Sequence, residues 1–155
     1  MGKKNLNAIV GAVRYAQTGL TASTPANNTT LFNITGPVRI LEIAGVVKTT
    51  AMEGQETLLK LTVTVDALAE TDICDVLDCT GDVAGTKYNI TGTFGDDLVA
   101  STVGVTIAQA GYVAISPVTS AILDLDNTSA ANDGQTFWSV VYQAMAPNAF
   151  MVPAV

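Results

Sequence analysis

The stretch "TLLKLTVTVD" (Thr57 to Asp66) alternates with period two: Leu59, Leu61, Val63 and Val65 fall on one side, Lys60, Thr62 and Thr64 on the other. Alternate residues of a pleated strand point to opposite faces, so this pattern predicts a half-buried strand. "QTFWSVVYQA" repeats it near the carboxyl end. There Trp138, Val140 and Tyr142 face one way, and Phe137, Ser139, Val141 and Gln143 the other. Trp138 is expected to anchor a core or an interface, because no other side chain carries so much apolar surface.

Between these two runs and before them lie more β-rich phrases: Val38 to Thr49, Thr86 to Gly92, Gly111 to Val118 and Ser120 to Asp126. Turn signals separate them, at Gly36-Pro37, Thr80-Gly81-Asp82, Gly95-Asp96-Asp97 and Asn132-Asp133-Gly134. Glu70 to Leu77 reads as a short helical turn, with Thr71 or Asp72 as its cap. The fold class expected is all-β, a single β-sandwich or jelly-roll-like domain over residues 31–146. Residues 1–30 have weak periodicity and end in "TGLTASTPANNTT", which predicts an extended amino-terminal arm. Residues 147–155 read as a carboxyl-terminal tail whose Pro147 and Pro153 keep it out of any central strand.

Composition narrows what such a domain does. Hydrophobic residues make up 48% and charged residues only 14% of the 155, against roughly 25% charged in ordinary soluble domains. A chain this apolar is expected to bury surface against a partner, most simply another copy of itself. Charge is also distributed unevenly. The chain through Lys60 sums to +3, and the remainder to −10, for a net of −7. That balance argues against nucleic acid or an anionic membrane as a partner, while leaving Lys3, Lys4 and Arg14 available to an acidic one. The apolar runs are too short and broken for a membrane span, and the apolar stretch after Lys3 and Lys4 is too short for a signal peptide. Leu6 stands where a myristoylation motif needs Ser or Thr.

Catalytic constellations are missing. Without histidine there is no Ser-His or Cys-His pair and no imidazole base, and no phosphate loop or dinucleotide fingerprint occurs. No catalytic residue, cofactor or metal site is therefore expected. Asp96-Asp97 could do acid/base work, but adjacent acids at a Gly-Asp turn read as solvated loop residues. Two acidic clusters, Asp72, Asp75, Asp78 and Asp82, and Asp124, Asp126, Asn127 and Asp133, have enough hard oxygens for calcium. Neither keeps EF-hand order, since Ser129 stands at the turn glycine and Gln135 at the terminal Glu. Cys74 and Cys79 match no common zinc or redox spacing, and free thiols in a reducing cytoplasm are the expected state.

Two echoes, "FNITG" (Phe32 to Gly36) and "YNITG" (Tyr88 to Gly92), complete the inventory. Both are N-x-[ST] acceptors, as are Asn27, Asn28 and Asn127, yet abundant Thr produces such triplets by composition. Flanking residues share little, so no duplication is inferred. Each is expected to be a strand end, with the aromatic and Ile on one face, Asn and Thr on the other, and Gly at a turn or bulge.

The succession "LFNITGPVRILEIAGVVKT", an alternating strand, "TDICDVLD", "GTKYNITGTFGDDLVAS" and "GQTFWSVVYQAMAP" resembles small virion structural proteins of tailed bacteriophages, of the capsid decoration or cement kind. The likeness covers roughly residues 31–145. It implies a protein, often trimeric, on the outer surface of an icosahedral head, where it bridges major capsid subunits against internal pressure. It further implies a virion location after synthesis in the host cytoplasm. Capsid or subunit contacts are expected from the arm and tail, at Lys3, Lys4, Arg14, Phe150 and Met151, and from Trp138. The alternatives are a tail or head-fibre component, and a secreted carbohydrate- or calcium-binding β-sandwich.

Overall fold

Gly36 turns the chain between two layers. Its φ is +66°, and a Cβ there would lie 3.2 Å from the Cβ of Ala149, so conformation and space both favour glycine. Phe32 and Ile34 before the corner are buried, while Asn33 and Thr35 are exposed. The expected reading of "FNITG" thus holds.

A computed structural model describes residues 10–19, 21–22, 27–48, 58–93, 95–101, 111–127 and 134–154. In chain order its strands are β1 (Val13–Gln17), β2 (Thr21–Ala22), β3 (Asn27–Thr35), β4 (Val38–Val47), β5 (Leu58–Val65), β6 (Glu70–Asp72), β7 (Leu77–Asp78), β8 (Lys87–Asn89), β9 (Val99–Ser101), β10 (Val113–Ile115), β11 (Ser120–Asn127), β12 (Gln135–Ala144) and β13 (Phe150–Pro153). One sheet runs β1-β12-β4-β8-β9, with β10 on β4 and β2 on β12. The other runs β13-β3-β11-β5-β6, with β7 on β5. All these pairings are antiparallel. The two sheets pack face to face around one core, so the chain is an all-β sandwich.

The core follows from the alternation. Trp138, Val140, Tyr142 and Ala144 of β12 point inward, meeting Phe32, Ile34, Leu59, Leu61 and Leu123 of the opposite sheet. Trp138 lies opposite Gly45 of β4, and its ring fills the place of the missing side chain: a Cβ on Gly45 would come within 2.7 Å of it. Tyr88 of β8 stacks beside the ring, centroids 6.2 Å apart. The indole Nε1 donates to Thr136 Oγ1, and the Trp138 backbone N–H donates to Thr18 Oγ1 just beyond β1. The indole therefore keys β12 to β4 and β8, and the backbone beside it fastens the end of β1.

A bulge explains why the alternation of β4 looks imperfect. Val38 and Ile40 are buried at even positions, Ile43, Gly45 and Val47 at odd ones. The register against β12 shifts between Val141 and Tyr142, where Val141 pairs Glu42 and Tyr142 pairs Ile40, so Leu41 is the extra residue.

Three expectations change. The helical turn at Glu70 to Leu77 is not formed: β6 and β7 both pair with β5, whose backbone needs partners on that side. Val13–Gln17, Thr21–Ala22 and Asn27–Thr30, which fall in the expected arm, are strand, because pairing with β12 and β11 supplies the order that local periodicity lacks. Residues 150–153 of the tail form β13, an edge strand on β3, as its proline permits.

The β5–β6 turn carries strain that hydrogen bonds hold in place. Asp66 and Ala67 have φ of 51° and 57°, an unusual pair of conformations for residues with side chains. The Asp66 carboxylate accepts the N–H groups of Val118, Thr119 and Ser120 and the Thr119 hydroxyl. These bonds, led by the Val118 N–H, lower its pKa from 3.8 to about 2. A depressed folded-state pKa stabilises above the unfolded value, so this contribution is full above pH 4 and is lost as pH falls from about 4 toward 2. In acid titrations followed by circular dichroism, Asp66→Asn is expected to flatten that part of the stability profile. Gly45→Ala is expected to cost ~1–3 kcal/mol in denaturant melts, from the clash with the indole.

Candidate interaction surface

Several polar side chains among the described residues are engaged in pairs and turns, while Arg39 Nε, Thr62 Oγ1, Asn89 Oδ1 and Asp124 Oδ1 are buried without a hydrogen-bond partner. Lys60 bridges Asp72 at 3.0 Å and Asp126 at 3.3 Å on the outer face of its sheet. The Asp75 carboxylate accepts the Val76 N–H, Asp78 the Thr80 N–H, Asp82 the Tyr88 hydroxyl, and Asp96 the Thr91 hydroxyl. Asp124 is buried beside Thr62 on the same outer face, and burial raises its pKa against the opposing effect of the Thr30 hydroxyl. Asn127 is buried, and Asp133 lies outside the described residues. Among the described residues no group of three or more Asp, Glu or Cys is arranged to hold a metal ion.

Cys74 and Cys79 are free and buried. Burial pushes their thiols up to about 11 and about 12 respectively, which leaves little thiolate near neutral pH. The Cys74 sulfur accepts the Leu61 N–H. The "YNITG" echo is also structural: Tyr88 and Ile90 are buried as expected, Gly92 has φ +86°, but Asn89 is buried too and donates to the Ile43 carbonyl.

The unusual surface is apolar. At the end of the sandwich that carries the Gly36-Pro37 corner, loop residues expose Val10, Leu68, Val118 and Met145. Leu68 is 72% and Val118 91% exposed. Register places them together at that end: Val118 leads from β10 into β11, Leu68 follows β5, and Met145 N donates to the Pro37 carbonyl. Val10 belongs there because Gly11 N donates to the Ala144 carbonyl. The carboxylate of Asp66 at this end is occupied by the three N–H groups already described. Acids concentrate instead along the β6 to β9 edge, at Glu70, Asp72, Asp75, Asp78, Asp82, Asp96 and Asp97.

The expected contact residues fare differently. Lys3 and Lys4 lie outside the described residues. Arg14 shares the inner face of β1 with Tyr142's register position and donates to the Ala149 carbonyl at 2.8 Å, so it ties β1 to the loop before β13. Trp138 and Met151 are corrected as contacts: both are buried in the core. Phe150 is half-buried on the outer side of β13. Leu68 and Val118 were not singled out by the sequence, because one apolar residue in a loop looks ordinary until the fold gathers several.

Edge β13 is closed by chemistry of its own. Ala154 N donates to the Leu31 carbonyl, and the antiparallel pattern then leaves Met151 and Pro153 facing away from β3. Tyr142 Oη accepts the Met151 N–H at 3.1 Å and donates to its carbonyl at 3.3 Å, and proline has no N–H.

Scans against protein-family models, curated proteins and solved structures return no match to this chain.

Tyr142→Phe is expected to cost ~1–3 kcal/mol, since it strands two buried backbone groups. Hydrogen exchange should show the Met151 amide losing protection well beyond that global change.

Proposed function

We propose that this protein is a virion structural protein, a capsid decoration or cement protein that binds the outer surface of a tailed-phage head and bridges major capsid subunits. The observation that carries the reading is the set of exposed apolar side chains Val10, Leu68, Val118 and Met145 at one end of the sandwich. A surface of this kind suits burial against another protein. The order of phrases along residues 31–145, with its likeness to decoration proteins, points the same way. In this reading the apolar end seats on the shell, Lys3 and Lys4 meet acidic capsid surface, and the acidic β6 to β9 edge faces solvent. Stabilisation is then mechanical: many copies each add modest buried area across capsomer seams, and multivalency makes the sum large.

The test uses heads lacking the protein. Purified chain should co-sediment with them and raise the temperature at which they release DNA. Leu68→Asp combined with Val118→Asp should lower occupancy at least tenfold while leaving the melting temperature of the free protein within a few degrees. Lys3→Glu with Lys4→Glu should weaken binding chiefly at low salt. Wild-type protein that leaves such heads unchanged would sink the proposal.

A further inference from the structure

Edge strands invite pairing with other chains, and proteins usually blunt them with charge, proline or cover. The described edges here obey that rule with one exception. β13 is closed by Tyr142 and Pro153, β6 is acidic at Glu70 and Asp72, and β9 and β10 are three residues each. β1 carries one charge, Arg14, whose guanidinium is turned inward onto the Ala149 carbonyl, and among the described residues it has no proline, no acidic outer face and no covering strand.

The geometry of β1 is specific. Thr18 N donates to the Trp138 carbonyl, and the register pairs Ala16 with Val140 and Arg14 with Tyr142. In an antiparallel ladder, hydrogen-bonded pairs recur every second residue. The backbone groups of Arg14 and Ala16 therefore face β12, and those of Val13, Tyr15 and Gln17 face the open side. No described strand pairs there. Val13 and Tyr15 are 60% and 62% exposed. Tyr15 Oη donates to Gln17 Oε1, which keeps both side chains lying along the strand.

We propose that the open edge of β1 is a self-association site, where β1 of a second copy pairs antiparallel about a twofold axis. The register that overlaps most sets Tyr15 opposite Tyr15, and Val13 opposite Gln17, which forms about six backbone hydrogen bonds. A twofold contact brings each residue near its own equivalents, so a charged edge would repel itself. Val13, Tyr15 and Gln17 are neutral. Each copy carries a net charge of −7, and its acids concentrate on the β6 to β9 side, across the sandwich from β1. Pairing through β1 places the two acidic sides as far apart as the molecule allows, which is why a second copy fits this edge better than any other. It builds dimers, in place of the trimers implied by the resemblance, and joins the two seven-stranded sheets into one.

Sedimentation velocity on the full chain across a concentration series tests this. Wild type should shift from monomer to dimer, and Val13→Lys with Tyr15→Lys should stay monomeric with its melting temperature unchanged, because both side chains are exposed. A second readout uses cysteine. Tyr15→Cys should form an interchain disulfide on mild oxidation far faster than Val118→Cys, an exposed control, while buried Cys74 and Cys79 stay silent. A wild type that is monomeric throughout, an oligomer that survives the lysines, or equal crosslinking of the two cysteine variants overturns the proposal. Both measurements use isolated protein, so failure here is separate from failure to bind heads.

Discussion

The indole of Trp138 over Gly45 is the contact on which the seven-stranded sheet depends. Gly45 weakens β4 as any strand glycine does, and Trp138 restores the loss by covering it from the neighbouring strand. Tyr88 then stacks on the indole from β8, and Thr18 fastens the end of β1 to its backbone. The opposite sheet needs no such key. Its inner face is a regular set of Leu, Ile and Phe, and its outer face is held by Thr, Asp and the Lys60 bridges.

Two side chains satisfy backbone groups at the margin of the sandwich. Tyr142 illustrates the economy: its ring belongs to the core, and its hydroxyl satisfies both free backbone groups of Met151 across the gap between sheets. Arg14 does a similar job nearby by capping the Ala149 carbonyl. The two side chains make the β1 and β13 margins one structural unit, although β1 and β13 lie more than 130 residues apart in sequence. That margin decides which backbone groups meet solvent and which do not.

Much of the fold was legible from period-two runs. β5, β11 and β12 stand where alternation puts them, and the Gly36 corner where Gly-Pro marks it. What escaped were elements whose order comes from partners. β1 has too few apolar residues to announce itself, and β6 borrows its conformation from β5. The interaction surface was less legible still. Trp138 drew attention for its size, which is the property that placed it inside. Leu68 and Val118 form part of a surface only because loops from different strands end at the same pole of the sandwich.

The bulge at Leu41 gives β4 something like a reading frame. Upstream of it the even residues face the core, downstream the odd ones. Leu41 is the extra residue itself, so its removal would leave Tyr142 with Ile40, Val141 with Glu42 and Val140 with Ile43 in one unbroken ladder and keep Ile43, Gly45 and Val47 on the core face. Loss of Ala44 would instead turn Gly45 and Val47 away from the core, so the strand accommodates a change in count at the bulge and not beyond it.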